Sequence, residues 1–440
     1  MTICLYSYAY NNRMKNIIET KYGKIAGVDH DSYLTYFGIP YAKAPVGELR
    51  FEAPQEAEAY DGILTADHFR EKAIQQELGN LELWGKEFYQ NPEYNVQASE
   101  DCLYLNIWTP KSEDSKNCPV AVWIHGGAFK NGYASEMEFD GRVYAERGII
   151  LVTIAYRCNL FGFLPTPGEG KRTNLGLRDQ LQALKWVKEN IASFGGNPDN
   201  ITLFGQSAGA MSALFLANSP YSEGLFCKAI FQSGAGYRSG VGELLDKESA
   251  EQVYSQLLQA AGCESLQELK KIPAMELYNI FDGLPRMQEI GILAPIIDND
   301  IVPLSTDDSI SQGKMLKLPY MMGANKDDLW MDISTAEEPN GELWEGTCRL
   351  GTELEKQGCP VYLYYFAHNL PGNGEGAFHS AELWYTFGTL DRSWRPMTDE
   401  DYSLSKEMID CWASFMKSGN PNADGTDKWG SWPENYRTFK

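Results

Sequence analysis

Short apolar runs recur along the chain and alternate with longer stretches of mixed polarity. Between two of these runs, Leu177–Ile191 places leucine, tryptophan and valine at helical spacing, and a Gly-Gly-Asn-Pro segment follows and ends it. Apolar strands that alternate with amphipathic helices predict an α/β protein with a central, mostly parallel sheet flanked by helices on both faces. The apolar runs are 102–108, 119–125, 148–156, 201–204, 228–232, 318–322 and 360–366.

Two regions depart from this alternation and predict inserted segments. Residues 42–98 are rich in proline, glycine and charge, which is typical of long loops with short helices. Residues 241–290 are amphipathic with helical spacing and predict an inserted cap. Without repeats, low-complexity tracts or a clear linker, the pattern favours a single domain over residues 1–440, with residues 1–13 as a disordered extension.

Composition narrows the classes of partner. Lysine and arginine number 38 against 60 aspartate and glutamate residues, a net charge of -22 that disfavours nucleic acid and anionic membranes. No apolar stretch is long enough to span a bilayer. The nine cysteines contain no C-x-x-C pair and no dense framework, which favours a reducing cytoplasm. We expect no metal and no cofactor, and the pattern does not predict an oligomeric state.

The strongest chemical signal is a serine between a strand and a helix. Ile201–Phe204 predicts a buried strand and Ala208–Leu216 an apolar helix, with the sequence GQSAG at 205–209 between them. A G-x-S-x-G turn in this position is typical of a nucleophile elbow, in which glycines prevent clashes and expose the serine above a helix N-terminus. The sequence therefore predicts Ser207 as a nucleophile.

A serine nucleophile needs a histidine base, itself oriented by a carboxylate. In an α/β-hydrolase the three residues follow the order serine, acid, histidine. Of the five histidines, only His368 and His379 follow Ser207. His379 lies in a glycine-containing loop well past the 360–366 run. His368 is only two residues beyond this run, where a histidine at the edge of the sheet usually makes local hydrogen bonds. We therefore favour His379 as the base.

The acid is expected after the apolar run 318–322. Asp327 and Asp328 are adjacent there, and spacing alone does not choose between them. Asp298 and Asp300 are further candidates, although aspartate beside asparagine and proline also closes ordinary turns.

The oxyanion of the tetrahedral intermediate requires backbone donors. Gly126 and Gly127 directly follow the 119–125 run, where glycines let N–H groups approach a reacting carbonyl. With the N–H of Ala208, they predict an oxyanion hole.

Five motifs occur together in one order: FGIPYAKAPVGELRF at 37–51, EDCLYLN at 100–106, HGGAF at 125–129, GQSAGA at 205–210 and GAFHSAEL at 376–383. In this combination the chain resembles the type-B carboxylesterases, which include bacterial para-nitrobenzyl esterases, cholinesterases and fungal lipases. The resemblance implies an α/β-hydrolase fold and hydrolysis of a carboxylic ester through an acyl-enzyme.

Matched by position, the resemblance implies Ser207 as nucleophile and His379 as base, with Gly126, Gly127 and Ala208 as oxyanion donors. The family's acid is usually a glutamate followed by glycine, and here Asp328 holds that place, with Asp327 second.

Other consequences of the resemblance concern the framework. It implies structural ion pairs between Arg50 and Glu100 and between Arg157 and Asp179, and a free thiol at Cys102. The span from acid to histidine, 379 − 328 = 51 residues, is short for the family and implies a more open site.

Three aromatic residues adjoin the catalytic positions. Phe129, Trp330 and Trp384 predict an aromatic pocket wall for short-chain or aryl esters, with core packing as an equal alternative. The alternatives for the whole protein are a catalytically silent binding homologue, and a carbohydrate deacetylase or acyltransferase with the same triad.

Overall fold

The structure is a computed structural model. The predicted extension at residues 1–13 and the aromatic residue Trp330 lie outside the described residues, and the single domain over 1–440 stays a prediction. The described residues are 16–80, 82–111, 116–166, 172–239, 247–285, 287, 293–329, 339, 341–372, 374–424 and 428–440.

Most strands join one large sheet. Ten strands follow the order β13-β12-β11-β10-β9-β7-β8-β6-β4-β3, and a small sheet has the order β1-β2-β5. Neighbours from β13 to β8 are parallel, and β6, β4 and β3 continue the sheet antiparallel. The strands are β1 Ile17–Thr20, β2 Gly23–Ala26, β3 Val28–Asp29, β4 Tyr33–Pro40, β5 Ile63–Thr65, β6 Tyr104–Pro110, β7 Cys118–Ile124, β8 Ile150–Ile154, β9 Gly196–Gln206, β10 Lys228–Gln232, β11 Tyr320–Asn325, β12 Val361–Phe366 and β13 Arg437–Phe439.

Helices connect and cover these strands. The α-helices are α1 Glu82–Phe88, α2 Arg142–Ala145, α3 Asn159–Phe163, α4 Leu175–Asn190, α5 Ala208–Asn218, α6 Lys247–Ala261, α7 Leu266–Leu269, α8 Ala274–Asp282, α9 Thr306–Ser311, α10 Glu342–Lys356, α11 Leu383–Phe387 and α12 Asp399–Ser418. Short 3₁₀ turns occupy Gly47–Leu49, Leu78–Asn80, Ile191–Phe194 and Leu390–Arg392. The predicted helix at 177–191 is confirmed as α4, and α6 to α8 confirm helices within the predicted inserted region.

Both faces of the sheet are buried. On β7, Val120 and Val122 belong to one hydrophobic cluster, whereas Ala121 and Trp123 belong to a second cluster. Successive strand side chains point to opposite faces, so the two clusters lie on opposite sides of the sheet. Residues of α4 and α5 join the first cluster and residues of α12 the second. This burial explains the continuous apolar runs and confirms the predicted arrangement.

The two ion pairs implied by the resemblance form. Arg157 donates to both carboxylate oxygens of Asp179, at 2.8 and 2.6 Å, and Arg50 donates to both oxygens of Glu100 at 2.5 Å. Cys102 is buried and free.

The parallel strands bring the candidate residues to one edge. Strands β12, β11, β9 and β7 run in the same direction, with β10 between β11 and β9. Gly126, Ser207 and Asp328 lie within three residues after β7, β9 and β11, and His379 follows β12 through a longer loop. The carboxyl edge of a parallel sheet is where sites form in α/β proteins.

Candidate active site

Ser207 occupies a sharp turn between β9 and α5. Its backbone angles are φ 56° and ψ -126°, a conformation that L-residues rarely adopt. A β-carbon on Gly209 would lie 2.1 Å from the carbonyl oxygen of Ile124, and one on Gly205 would lie 2.5 Å from the carbonyl carbon of Gly209. Both glycines are therefore required for the turn to pack against β7.

The imidazole of His379 is paired with a fixed carboxylate. Its Nδ1 is hydrogen-bonded to Oδ1 of Asp328. The backbone N–H groups of Asn325 and Leu329 donate to Asp328 at 2.8 Å each, which fixes the carboxylate in position. Burial disfavours the charged imidazolium, but the Asp328 carboxylate outweighs this effect and raises the pKa of His379 above its ordinary value of 6.5.

Asp327, the adjacent candidate acid, holds the loop that carries His379. Its Oδ2 accepts a 2.8 Å hydrogen bond from the N–H of Ala377, and its own N–H donates to the Ala377 carbonyl at 3.0 Å. The two neighbouring aspartates therefore make different contacts, and Asp328 is the one at the imidazole.

The remaining candidates lie in other ion pairs. Asp298 and Asp300 contact Arg178 at 3.2 and 2.8 Å. His368 lies 2.9 Å from Asp401. The structure does not bring these residues to the Ser207 turn.

The second ring nitrogen of His379 contacts a residue that the motif leaves variable. Nε2 lies 3.2 Å from the side-chain nitrogen of Gln206, so the neutral imidazole accepts an N–H from this amide. We infer this tautomer from the acceptor character of Asp328 at Nδ1. No sequence signal points to Gln206, because the position before the serine is an unspecified one in G-x-S-x-G.

Ser207 and His379 line one cavity of about 230 Å³. Gly126 and Gly127 also line it, together with Ala128, which the motifs do not single out. A β-carbon on Gly126 would lie 3.2 Å from Cβ of Ser207, so this backbone packs directly against the serine turn. Ala208 is buried at the first position of α5. Apolar lining comes from Trp84, Phe88, Phe139, Leu329 and Leu383.

Two predicted pocket aromatics lie in the core instead of at the cavity surface. The buried ring of Phe129 packs edge-on against Phe163 at 5.0 Å. Trp384 is fully buried, and its Nε1–H donates to Glu87 at 2.8 Å. The Trp384 ring stacks behind Phe88, which itself lines the cavity. Core packing, the alternative interpretation, accounts for both positions.

Within the described ranges, no helix is long and apolar enough to cross a membrane.

Comparison with known proteins places the whole chain in one group. A profile of the carboxylesterase family matches residues 14–343 and 342–440. The chain is 34% identical to the para-nitrobenzyl esterase of Bacillus subtilis (strain 168), over 96% of this chain and 93% of that protein. It is 30% identical to the fumonisin B1 esterase of Sphingopyxis macrogoltabida, over 94% and 84% of the two chains.

Comparison with solved structures gives the same family. A PNB esterase superposes with a TM-score of 0.84 at 30% identity, covering 97% of this chain and 96% of the other. A carboxylesterase of Geobacillus stearothermophilus has a TM-score of 0.81 at 31% identity, with the same coverage. The predicted α/β-hydrolase fold and the resemblance are thus confirmed, and the chain belongs to the carboxylesterase family of carboxylic ester hydrolases.

Proposed function

We propose that this carboxylesterase hydrolyses short-chain or aryl esters through a triad of Ser207, His379 and Asp328. One observation carries the proposal: the buried His379 binds Asp328 through Nδ1 and lines the same cavity as Ser207. This is the arrangement in which an imidazole serves as base for a serine.

In the proposed reaction, Oγ of Ser207 attacks the ester carbonyl and its proton passes to Nε2 of His379. Nε2 must first exchange its contact with Gln206 for one with Ser207, and catalytic hydrogen bonds are often formed only in the substrate complex. Asp328 orients the ring and stabilises the imidazolium. His379 then protonates the leaving alcohol, and water attacks the acyl-enzyme by the same route.

The developing oxyanion is assigned to the N–H groups of Gly126, Gly127 and Ala208. Removal of one such donor typically costs roughly 3–4 kcal/mol of transition-state stabilisation. The approach of Gly126 to Ser207 supports this assignment, because even a β-carbon at this position would lie in tight contact, 3.0–3.2 Å from Gln206 and Ser207.

The cavity supports the proposed substrate class. A volume of about 230 Å³ with Trp84, Phe88 and Phe139 in its wall suits a small acyl or aryl group. The name of the para-nitrobenzyl esterase relative is consistent with an ester that carries an aromatic ring.

Covalent labelling tests the triad. A fluorophosphonate probe should modify the wild-type protein at Ser207 and leave Ser207→Ala unlabelled, and kcat/KM should fall with chain length across p-nitrophenyl esters. An unlabelled wild-type protein would favour the silent binding homologue, and acyl transfer to an added alcohol or sugar in preference to water would favour the acyltransferase.

We further propose a cytoplasmic location. Eight cysteines in the described part of the chain are outside any disulfide bond, which suits a reducing compartment. Fractionation of the source cells should recover the esterase with cytoplasmic markers, and recovery outside the cytoplasmic membrane would contradict the proposal.

A further inference from the structure

Two carboxyl groups that the proposed reaction does not use line the cavity of Ser207. Glu136 and Glu138 are 5% and 1% exposed, and both contribute to the cavity wall. They lie on the segment between Ala128 and α2. No charge-pattern signal in the sequence distinguishes them from surface glutamates.

The two carboxyl groups have unequal surroundings. Glu136 accepts a 2.9 Å hydrogen bond from the N–H of Tyr133, and the Tyr89 hydroxyl and the Glu138 carboxyl also interact with it. Oε2 of Glu138 is buried and accepts no hydrogen bond from any donor in the described ranges. The backbone of Glu138 is nevertheless fixed, because Thr389 donates to its carbonyl at 3.0 Å.

Lys72, whose charge acts on Glu136, is bonded to other residues. Lys72 acts on Glu136 only at longer range, since its Nζ donates to Asn95 at 2.6 Å and lies 3.5 Å from Glu77. Burial raises the pKa of Glu136 to about 7, and burial together with Glu136 raises the pKa of Glu138 well above its ordinary value. Two adjacent buried carboxyls hold at least one proton between them near neutral pH.

The unpaired carboxyl oxygen of Glu138 favours a ligand that brings a hydrogen-bond donor. A buried polar oxygen without a donor is unfavourable, and the rest of the cavity offers mainly apolar groups such as Trp84, Phe88 and Phe139. A ligand group that donates a hydrogen bond at this end of the cavity would interact with the carboxyl pair while the ester lies at Ser207.

We propose that Glu136 and Glu138 form a specificity subsite, which binds a hydrogen-bond-donating group of the ester substrate, a hydroxyl or an ammonium. The proposal rests on the proposed function, since it places this group in the same cavity as the ester attacked by Ser207. The subsite would favour esters with a polar donor a short distance from the scissile bond over apolar esters of equal size.

Matched esters test the subsite. The kcat/KM of hydroxyethyl butyrate is compared with that of propyl butyrate, and that of ethyl hydroxybutyrate with that of ethyl pentanoate, so that the hydroxyl lies on either side of the ester. A third comparison replaces the hydroxyl by an ammonium group. In the wild type at least one polar ester should be preferred, and Glu138→Leu should reduce that preference several-fold, up to about tenfold, as expected for one lost hydrogen bond between neutral groups.

Two further variants make the result specific. Glu138→Gln keeps a neutral acceptor of the same shape, so it should retain the preference for a hydroxyl, and a preference for an ammonium should depend on the charge of Glu136. Glu93→Leu, at an exposed glutamate outside the cavity, should retain both. Equal loss of activity on polar and apolar esters in a folded Glu138→Leu protein would overturn the subsite, because it would indicate a purely structural role.

The comparison also separates the subsite from the proposed triad. Binding of the same ester pairs to Ser207→Ala, measured by calorimetry, reports the subsite without catalysis. Tighter binding of the polar ester that disappears with Glu138→Leu supports the subsite even if the wild type fails to react with fluorophosphonate. Equal binding of polar and apolar esters contradicts it, whatever the wild-type activity.

Discussion

At the scale of single residues, the neighbouring aspartates 327 and 328 have separate tasks. Asp328 bonds the imidazole of His379, whereas Asp327 bonds the backbone of Ala377 two residues earlier in the same loop. The side chain of Asp328 is one methylene group shorter than that of the glutamate expected from the resemblance. Two backbone N–H donors fix it in contact with the ring, so the shorter side chain still reaches.

Replacement of Asp328 by asparagine should therefore impair catalysis far more than the same change at Asp327. A neutral amide in place of the carboxylate would no longer stabilise the imidazolium or the required tautomer, and we expect kcat to fall by roughly 10⁴-fold. Steady-state kinetics on a p-nitrophenyl ester measures this. Asp327→Asn retains an acceptor oxygen for Ala377 and is the matched control; a larger loss at Asp327 would move the acid by one residue.

The pH profile should report the raised pKa of His379. The neutral imidazole is the base, so protonation inactivates the enzyme, and a pKa above 6.5 keeps the inactive form present to higher pH. The acid limb of kcat/KM should thus have its midpoint above pH 6.5. In Asp328→Asn the carboxylate charge that raises the pKa of His379 is lost, whereas the burial that lowers it remains. The acid limb of the residual activity should therefore have its midpoint at a lower pH.

A neighbouring group titrates in the same range. Burial raises the pKa of Glu382 to about 7, and its charge adds to the effect of Asp328 on His379. Glu382→Gln should lower the acid-limb midpoint less than Asp328→Asn does, because it removes only the smaller contribution. A profile that is flat from pH 5 to 8 would contradict the assignment of His379 as base.

At the scale of elements, the turn between β9 and α5 depends on its glycines. Gly209→Ala would place a methyl group 2.1 Å from the Ile124 carbonyl, which cannot move without disturbing β7. We expect the free energy of unfolding to fall by roughly 3 kcal/mol, measured by denaturant titration. Gly283→Ala is the control, since its φ is -82° and the nearest atom is 3.5 Å away; equal effects at both positions would contradict this account.

How much of these elements was predictable follows from their periodicity. The apolar runs predicted the buried parallel strands, and 177–191 predicted α4 almost to its bounds, because local pattern and tertiary burial agree there. The turn chemistry of GQSAG similarly predicted the conformation around Ser207. Phe129 and Trp384 differ because their side chains point into cores assembled from distant segments, such as Phe163 and Glu87. Chain position beside a motif carries no information about that direction.

At the scale of the whole molecule, one buried ion pair joins three parts of the chain. Arg157, just after β8, bonds Asp179 on α4, and its Nη1 donates to the carbonyl of Glu52 in the N-terminal region at 2.9 Å. Both charged side chains are almost fully buried. Such a pair matters for stability mainly because the loss of one partner leaves the other as an uncompensated buried charge.

Asp179→Asn should therefore destabilise the entire fold. A buried guanidinium without its carboxylate costs about 3–5 kcal/mol, and thermal or denaturant unfolding at pH 7 would measure the loss. Glu189→Gln provides the comparison, because Glu189 pairs with Lys21 at the surface, where solvent screens the charges. We expect almost no change there, and similar losses in both variants would argue against the joining role of Arg157.

The backbone conformation of Ser207 is required for catalysis but lowers the thermal stability of the protein. A residue with a β-carbon at φ 56° is strained by roughly 1–3 kcal/mol, and only glycine relieves it. Ser207→Gly should accordingly melt at a higher temperature than the native enzyme, whereas the equally inactive Ser207→Ala should not. At position 207 the residue that catalysis requires would then differ from the residue that gives the most stable protein.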